Sequence, residues 1–266
     1  MKQIPNIFTL LNLFFGCLAI MYVLQPGLIP LYRIEEGMLT ADVDQGGTQY
    51  LSIPEQIYMA SVCIGIAALI DFLDGFIARL LKASSDMGKQ LDSLADIVSF
   101  GVAPGMIIYQ FLRLSFAQQE NGLDISVIWL LPAFIIPCAG AYRLGRFNID
   151  PQQSYGFKGV PIPAAGLLIA SFPLIYWFSD YWFSNTSWII MLLLNKWFWY
   201  AIIVMISYLM VSTLPMMALK FKELNAKKLL PFIAIAAIAI AGAIFSGWLA
   251  VPLVFIAYVL ISLFTK

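Results

Sequence analysis

Long apolar segments constrain this chain more than any other feature of its sequence. A helix of about 20 apolar residues crosses a hydrocarbon core about 30 Å thick. Hydrophobic residues make up 61% of the chain and charged residues only 11%, which is too apolar for a soluble domain. The sequence therefore predicts an all-α polytopic membrane protein with about eight transmembrane helices. We place them at 5–25, 56–81, 89–113, 126–147, 161–182, 191–219, 229–246 and 249–265.

The last two segments are short and are joined at Ser246 and Gly247. Two short apolar segments joined by a residue pair of this kind form either a helical hairpin or a shallow pair of helices. We expect one of these two arrangements at the C-terminal end of the chain.

Basic residues are distributed unevenly between the connections. Twelve of the 15 Lys and Arg residues fall in one alternate set of connections and near the chain ends, and the other set holds Arg33, Arg113 and Lys196. Because basic residues mark cytoplasmic loops, we expect a multi-pass protein of the cell (inner) membrane with both termini in the cytoplasm. The 15 basic and 15 acidic residues cancel, so no nucleic-acid partner is predicted.

Four carboxylates lie where the second and third segments meet the predicted cytoplasmic boundary. Asp71 and Asp74 are three residues apart, and Asp92 and Asp96 are four apart, so each pair shares one face of its helix. The connection between the two helices is short, which makes them antiparallel neighbours whose carboxylate faces can converge. Charges within membrane segments are costly and usually functional, so this cluster is the candidate site.

Converging carboxylates repel one another unless some are protonated or a multivalent cation lies between them. The chain has no histidine, and carboxylate oxygens alone are ligands for hard cations such as Mg²⁺ or Mn²⁺. Four carboxylates suit two divalent cations about 3.5–4 Å apart, an arrangement used for displacement at phosphorus. A cation-coupled transporter is the alternative, although transporter sites usually lie near the membrane midplane on broken helices.

Small residues accompany the carboxylates. Gly75 and Ala78 follow on the first helix, and Gly88 begins the second. Each leaves space beside the carboxylates for a bulky phosphorylated ligand. Arg79 lies about one turn further along and could reach a diphosphate.

The complete string D-x2-D-G-x2-A-R-x8-G-x3-D-x3-D runs without a gap from Asp71 to Asp96. It resembles the signature of the CDP-alcohol phosphotransferase family at all of its fixed positions. Further stretches resemble the family's opening helix and its bacterial and archaeal phosphatidylserine synthase branch. They are Pro5-Asn6-x2-Thr9-x2-Asn12 with Gly16, Ser99 to Pro104, Tyr142 to Asn148, and Gly159 to Ala165.

The resemblance implies a fold and a reaction. Residues 1–219 would form the six-helix core of the family, and residues 220–266 a C-terminal two-helix extension. CDP-diacylglycerol would give its phosphatidyl group to L-serine and release CMP, with membrane lipids as the surroundings. Glycerol 3-phosphate or inositol phosphate is the alternative acceptor within the family, and a homodimer through membrane helices is compatible with the resemblance.

The resemblance also implies roles for individual residues. Asp71 and Asp92 would bridge two divalent cations, Mg²⁺ or Mn²⁺, while Asp74 completes one metal site. Asp96 would bind the other ion and act as the catalytic general base. The residues that would bind the CDP-lipid are Asn6, Thr9, Gly75, Ala78, Arg79 and Gly88.

Basic residues near the fourth and fifth segments are candidates for head-group binding. Arg143, Arg146 and Lys158 could hold the substrate carboxylate or a lipid phosphate. The alternative is that they only mark the cytoplasmic side of the membrane.

Overall fold

The computed structural model describes residues 4–25, 27–30, 32–35, 38–41, 43–44, 47–48, 50–52, 54–80, 85–119, 125–149, 157–217 and 226–264. Within these ranges the chain is mainly helical. The helices are α1 (Ile4–Leu24), α2 (Ile57–Leu80), α3 (Asp86–Asp96), α4 (Ala103–Ala117), α5 (Ile135–Ile149), α6 (Ile162–Phe178), α7 (Ser187–Leu193), α8 (Lys196–Val211), α9 (Ala226–Ser246) and α10 (Ala250–Phe264).

Short antiparallel strand pairs occur in two of the connections. Three pairs lie between α1 and α2, and the fourth joins the segment before α6 to the segment after α8. The pairs are β1 (Leu28–Pro30) with β6 (Tyr50–Ser52), β2 (Tyr32–Glu35) with β3 (Met38–Ala41), β4 (Val43–Asp44) with β5 (Gly47–Thr48), and β7 (Phe157–Lys158) with β8 (Pro215–Met216).

The described helices confirm the all-α polytopic class. Five segments are long and apolar enough to cross a membrane, and α7 with α8 makes a sixth that is bent by 65°. The segment predicted as one transmembrane helix at 126–147 is instead a series of 3₁₀ turns followed by α5, which has only 15 residues. A total of eight crossings therefore stays a prediction. The five segments are Pro5–Leu24, Ile57–Ala78, Asp86–Ala117, Ile162–Tyr181 and Leu230–Phe264.

The last of these segments is folded back on itself. A Cβ atom added at Gly242 would lie 2.9 Å from the Cβ atom of Ala250, whereas eight residues of a straight helix span about 12 Å. The chain reverses at Gly247, whose φ of 55° is readily adopted by glycine. The predicted hairpin of α9 and α10 is thus confirmed, although the proposed domain boundary between 219 and 220 lies outside the described residues.

A π-helical turn joins α3 to α4. It comprises Ile97–Val102, and the N–H of Ala103 donates to the carbonyl of Val98, five residues earlier. The turn keeps α3 and α4 in one membrane-length segment. Such turns occur frequently at functional sites, and this one directly follows Asp96.

Glycines on two neighbouring helices allow close contact with this turn. A Cβ atom on Gly16 of α1 would contact the Ser99 side chain and lie 2.9 Å from the Ser99 Cα. A Cβ atom on Gly166 of α6 would lie 2.9 Å from the Phe100 Cα. The π-helical turn is therefore held between α1 and α6 by direct backbone approach.

Where the structure describes them, residues of the two predicted basic sets lie at opposite ends of the helices. At one end, the Lys89 Nζ donates to the carbonyl of Asn148 at 3.2 Å, and Arg146 contacts the end of α8. At the other end, the Lys196 Nζ lies 4.8 Å from the centroid of the Phe116 ring. The carboxylates share the end that carries Lys89, and the assignment of that end to the cytoplasm stays a prediction.

Candidate active site

Helices α2 and α3 bring three of the four carboxylates together. Asp71, Asp74 and Asp92 each place an oxygen within 4.8 Å of the others. The Oδ1 atom of Asp92 is buried and has no hydrogen-bond partner among the described residues. Oxygen ligands this close, with an unmatched buried acceptor, fit a hard divalent cation.

The fourth carboxylate is set apart from this group. Asp96 lies one helical turn after Asp92 and is only 6% exposed. It interacts electrostatically with the other three carboxylates, yet it does not belong to the cluster of three. The structure therefore distinguishes the predicted base from the carboxylates that lie closest together.

Helix α1 supplies a hydrogen-bond donor to each carboxylate helix. The Thr9 Oγ1 donates to the Asp74 Oδ2 at 2.9 Å, and the Asn12 Nδ2 donates to the Asp96 Oδ1 at 3.4 Å. Both α1 side chains are buried. The carbonyl of Asn12 in turn accepts a hydrogen bond from the Ser99 Oγ at 3.0 Å. Contacts of this kind orient groups that bind metals.

This arrangement was not predicted from the sequence, in which Thr9 is a candidate for CDP-lipid binding and Asn12 has no predicted role. The signal was available, because Asn6, Thr9 and Asn12 recur at every third position of an otherwise apolar helix. Residues at this spacing share a face, and a polar face within a membrane needs a partner.

A cavity of about 460 Å³ lies beside the carboxylate cluster, between α1, α2 and α3. A Cβ atom added at Gly75 would meet no atom within 4 Å, so this glycine faces open space. The side chain of Arg79 lies outside the described part of the chain. Every other residue predicted to bind the CDP-lipid lines the cavity, namely Asn6, Thr9, Gly75, Ala78 and Gly88.

Polar side chains of α1 and of the beginning of α3 line one part of this cavity. They are Asn6, Ser85, Asp86 and Lys89. A Cβ atom on Gly88 would lie 3.0 Å from the Asn6 Oδ1 and 3.1 Å from the Ser85 Oγ. Glycine at this position thus permits the close approach of Asn6. Asp86 and Lys89, which the sequence analysis did not include in the site, also line the cavity.

The three predicted head-group residues lie in different surroundings. Arg143 on α5 is 5% exposed, interacts electrostatically with Asp96 and has a buried Nε without a hydrogen-bond partner among the described residues. Lys158 is exposed on β7. Of the three, Arg143 is therefore the one that is buried and within electrostatic range of Asp96.

Arg146 contacts the end of α8, and its predicted head-group role stays a prediction. Its Nη1 and Nη2 atoms donate to the carbonyls of Val211 and Ser212 at 2.8 and 2.9 Å. These carbonyls end α8, where a helix lacks backbone partners. Gly159, with a φ of 77°, lies against the same helix end, so the two motifs around Arg146 and Gly159 together cap α8.

Residues 2–194 match the family described as CDP-alcohol phosphatidyltransferase. The chain belongs to the CDP-alcohol phosphatidyltransferase family. The family is generally dependent on divalent metal ions, and the carboxylate cluster fits this requirement. The match covers α1 to α7 and ends before the C-terminal hairpin.

Relatives of this chain include serine phosphatidyltransferases from several organisms. A Helicobacter pylori protein named CDP-diacylglycerol–serine O-phosphatidyltransferase is 33% identical over 167 residues, which are 62% of this chain and 54% of that protein. A Bacillus subtilis protein of the same name is 38% identical over 120 residues, or 45% and 63% of the two chains. An archaetidylserine synthase of Methanothermobacter thermautotrophicus is 32% identical over 161 residues, or 60% and 61%. The chain thus spans little more than half the length of the Helicobacter relative.

Proposed function

We propose that this chain transfers the phosphatidyl group of CDP-diacylglycerol to L-serine and forms phosphatidylserine and CMP. The observation that carries the proposal is the cavity between α1, α2 and α3, which is lined by Asp74 and Asp92 of the carboxylate cluster. The names of the relatives support serine as the acceptor. The open space at Gly75 is suited to the CDP portion of the lipid.

Asp71, Asp74 and Asp92 would hold two divalent cations, Mg²⁺ or Mn²⁺, with Asp96 as a ligand of the second ion. Bound ions of this kind stabilise negative charge on a diphosphate and on the departing nucleotide. Thr9 keeps the Asp74 carboxylate turned toward the cluster through its hydrogen bond. The chain therefore supplies both the metal ligands and the groups that orient them.

Asp96 is the general base in this proposal. A serine hydroxyl is a weak nucleophile near neutral pH and needs a base within hydrogen-bond reach. Its oxygen forms a bond to the phosphorus that carries the diacylglycerol, the bond from that phosphorus to the CMP oxygen breaks, and the serine proton passes to Asp96. Asn12 holds the Asp96 carboxylate in position from α1.

Arg143 is the proposed partner of the serine carboxylate. Its guanidinium is buried and has an unmatched Nε atom, so it can offer a charged donor close to Asp96. Arg146 supports this part of the site by capping α8. Lys158, exposed on β7, is proposed as a contact for lipid phosphates at the membrane surface.

The site would face the cytoplasm, where CMP is released, in the cell (inner) membrane. The unequal distribution of basic residues supports this orientation. Thiol labelling of Asp44→Cys and Lys222→Cys in intact cells tests it, with labelling expected only at position 44. Labelling of position 222 from outside would reverse the orientation. A homodimer through membrane helices belongs to the same proposal, and native mass spectrometry of the purified protein measures it.

CMP release from CDP-diacylglycerol tests the reaction directly. The purified protein with Mg²⁺ is supplied in turn with serine, glycerol 3-phosphate and inositol phosphate, and Asp96→Asn is the control. Release with serine alone supports the proposal, and release with another alcohol changes the acceptor. If no alcohol releases CMP while the protein drives cation-coupled uptake in proteoliposomes, a transporter replaces the enzyme.

A further inference from the structure

A second cavity, of about 450 Å³, lies between α6 and the C-terminal hairpin of α9 and α10. Among the described residues, its lining side chains are apolar with the exception of Tyr258, and they include Ala164 of α6, Ile235 and Ala236 of α9, and Val254 of α10. The hairpin lies outside the part of the chain that matches the family. We call this cavity the hairpin groove.

Tyr258 forms the polar end of the hairpin groove. Its hydroxyl donates to the carbonyl of Met217 at 3.3 Å and interacts electrostatically with Arg143. Arg143 in turn interacts with Asp96. The polar end of the groove therefore lies within electrostatic range of Arg143, and Arg143 lies within the same range of the proposed base.

The chemistry of the lining selects one class of occupant. Serine and the nucleotide both need hydrogen-bond partners, which an apolar lining does not offer. The surrounding helices are of membrane length, so hydrocarbon chains are what surrounds the open side of the groove. A molecule with a polar end at Tyr258 and a hydrocarbon portion along Ile235 and Val254 matches both parts of the groove.

We infer that the hairpin groove binds an acyl chain of the CDP-activated lipid, with the ester end of that chain near Tyr258. The inference rests on the proposed function, because it takes the lipid substrate as given. The hairpin then contributes to the choice of acyl-chain length, although it lies outside the family match. Ala164 and Ala236 leave room for the chain, because both are small and line the groove.

A competition assay tests the inference. Wild-type protein and Ala236→Trp each receive serine and an equal mixture of long-chain and short-chain CDP-diacylglycerol, and mass spectrometry gives the ratio of the two products. We expect the long-to-short ratio to fall about tenfold in Ala236→Trp, as for a loss of about two buried methylene groups. Ala237→Trp is the matched control, because the neighbouring residue is also exposed and is not among those lining the groove.

Short-chain turnover shows whether the variant is folded. An unchanged product ratio in an active Ala236→Trp protein would overturn the inference. If the wild-type protein uses neither lipid, the proposed function fails, and this outcome differs from an altered ratio.

A measurement on wild-type protein covers the case of an inactive variant. CDP-diacylglycerol with a photoreactive diazirine in one acyl chain is crosslinked to the protein, and the adducts are mapped by mass spectrometry. We expect adducts on Ile235 or Val254 that excess unlabelled CDP-diacylglycerol suppresses and excess phosphatidylcholine does not. Adducts elsewhere, or adducts that both lipids suppress equally, would show that the groove holds only bulk lipid.

Discussion

The carboxylate site and the C-terminal hairpin are two regions of the molecule that are held together differently. Buried side chains join α1 to α2 and α3 by hydrogen bonds, as from Thr9 to Asp74 and from Asn12 to Asp96. The hairpin helices contact each other through small residues such as Gly242 and Ala250. In the most apolar 18-residue stretch of Asp86–Ala117, which contains α3 and α4, 56% of the residues are buried. In the corresponding stretch of the hairpin, Leu230–Phe264, only 11% are buried.

This contrast reflects the membrane as a solvent. Apolar contact alone does little to hold helices together in lipid, so close backbone contacts and polar pairs determine their geometry. The site region has both kinds of contact, whereas the hairpin relies mainly on the first. We therefore expect substitutions in the site to abolish catalysis and substitutions in the hairpin to adjust substrate choice.

The largest effect should come from the carboxylates. Asp96→Asn keeps an oxygen and the shape of the side chain but could not accept the serine proton in the proposed reaction, so kcat should fall by roughly 10²–10⁴. CDP-lipid binding should persist and still require Mg²⁺. Asp92→Asn should lose both turnover and metal-dependent binding, because it removes a charge from the cluster.

Calorimetry with CDP-lipid, with and without Mg²⁺, separates these two results. Retention of more than about a tenth of kcat in Asp96→Asn would place the base elsewhere.

Next in size is the loss of an orienting hydrogen bond. Thr9→Val removes the donor to Asp74 and keeps the branched shape, so the Mg²⁺ concentration for half-maximal activity should rise about 10–100-fold. Thr9→Ser, which keeps the hydroxyl, should stay within a few-fold of wild type. The Mg²⁺ titrations of the two variants are compared at saturating lipid. Equal Mg²⁺ requirements would show that the Thr9 hydroxyl does not support metal binding.

A smaller effect is expected at the proposed serine carboxylate partner. Arg143→Lys replaces a planar fork with a single ammonium group, so KM for serine should rise about tenfold. Arg146→Lys is the matched control, since Arg146 contacts the end of α8. It should lower thermal stability with little change in KM. Separate KM values for serine and CDP-lipid decide the matter, and a change confined to CDP-lipid would assign Arg143 to a phosphate.

The smallest effect concerns the packing beneath the site. Gly16→Ala would press a methyl group against Ser99, and overpacking of this kind typically costs about 1–3 kcal/mol. Thermal unfolding in detergent should show the loss. Gly65→Ala is the control, because its new methyl group would meet no atom within 4 Å. Equal stability of the two variants would contradict the close contact between α1 and the π-helical turn.

The sequence predicted the carboxylate cluster well because helical spacing decides which side chains share a face. Asp71, Asp74 and Asp92 converge as their spacing indicated. The role of Arg146 was not predictable in this way, because its partners are backbone carbonyls 65 and 66 residues away. Arg143 and Arg146 look equivalent in the sequence, and only the packing of α5 against α8 separates them.

The helical segments were predicted for a similar reason, since apolar length marks a span whatever its neighbours are. Local geometry within the spans was not. The 65° bend between α7 and α8 and the 3₁₀ turns before α5 lie in segments that hydropathy presents as uniform. A local side-chain cap begins the next turn or helix at each place, where Ser126 accepts from the N–H of Ile128 and Asn195 accepts from the N–H of Trp197. Average apolarity does not record such single residues.

The π-helical turn at Ile97–Val102 determines how the side chains of α3 are rotated about the helix axis relative to those of α4. Each residue of an α-helix rotates the chain by about 100° about the helix axis, and a π-helical turn contains one extra residue. Asp92 can therefore face α1 and α2 while Gly101 and Gly105 lie against Pro137 of α5. Deleting one residue of the turn would place α3 and α4 in the register of one regular α-helix. Either Asp92 would then keep its position beside α1 and α2, or the two glycines would keep their contact with Pro137, but not both.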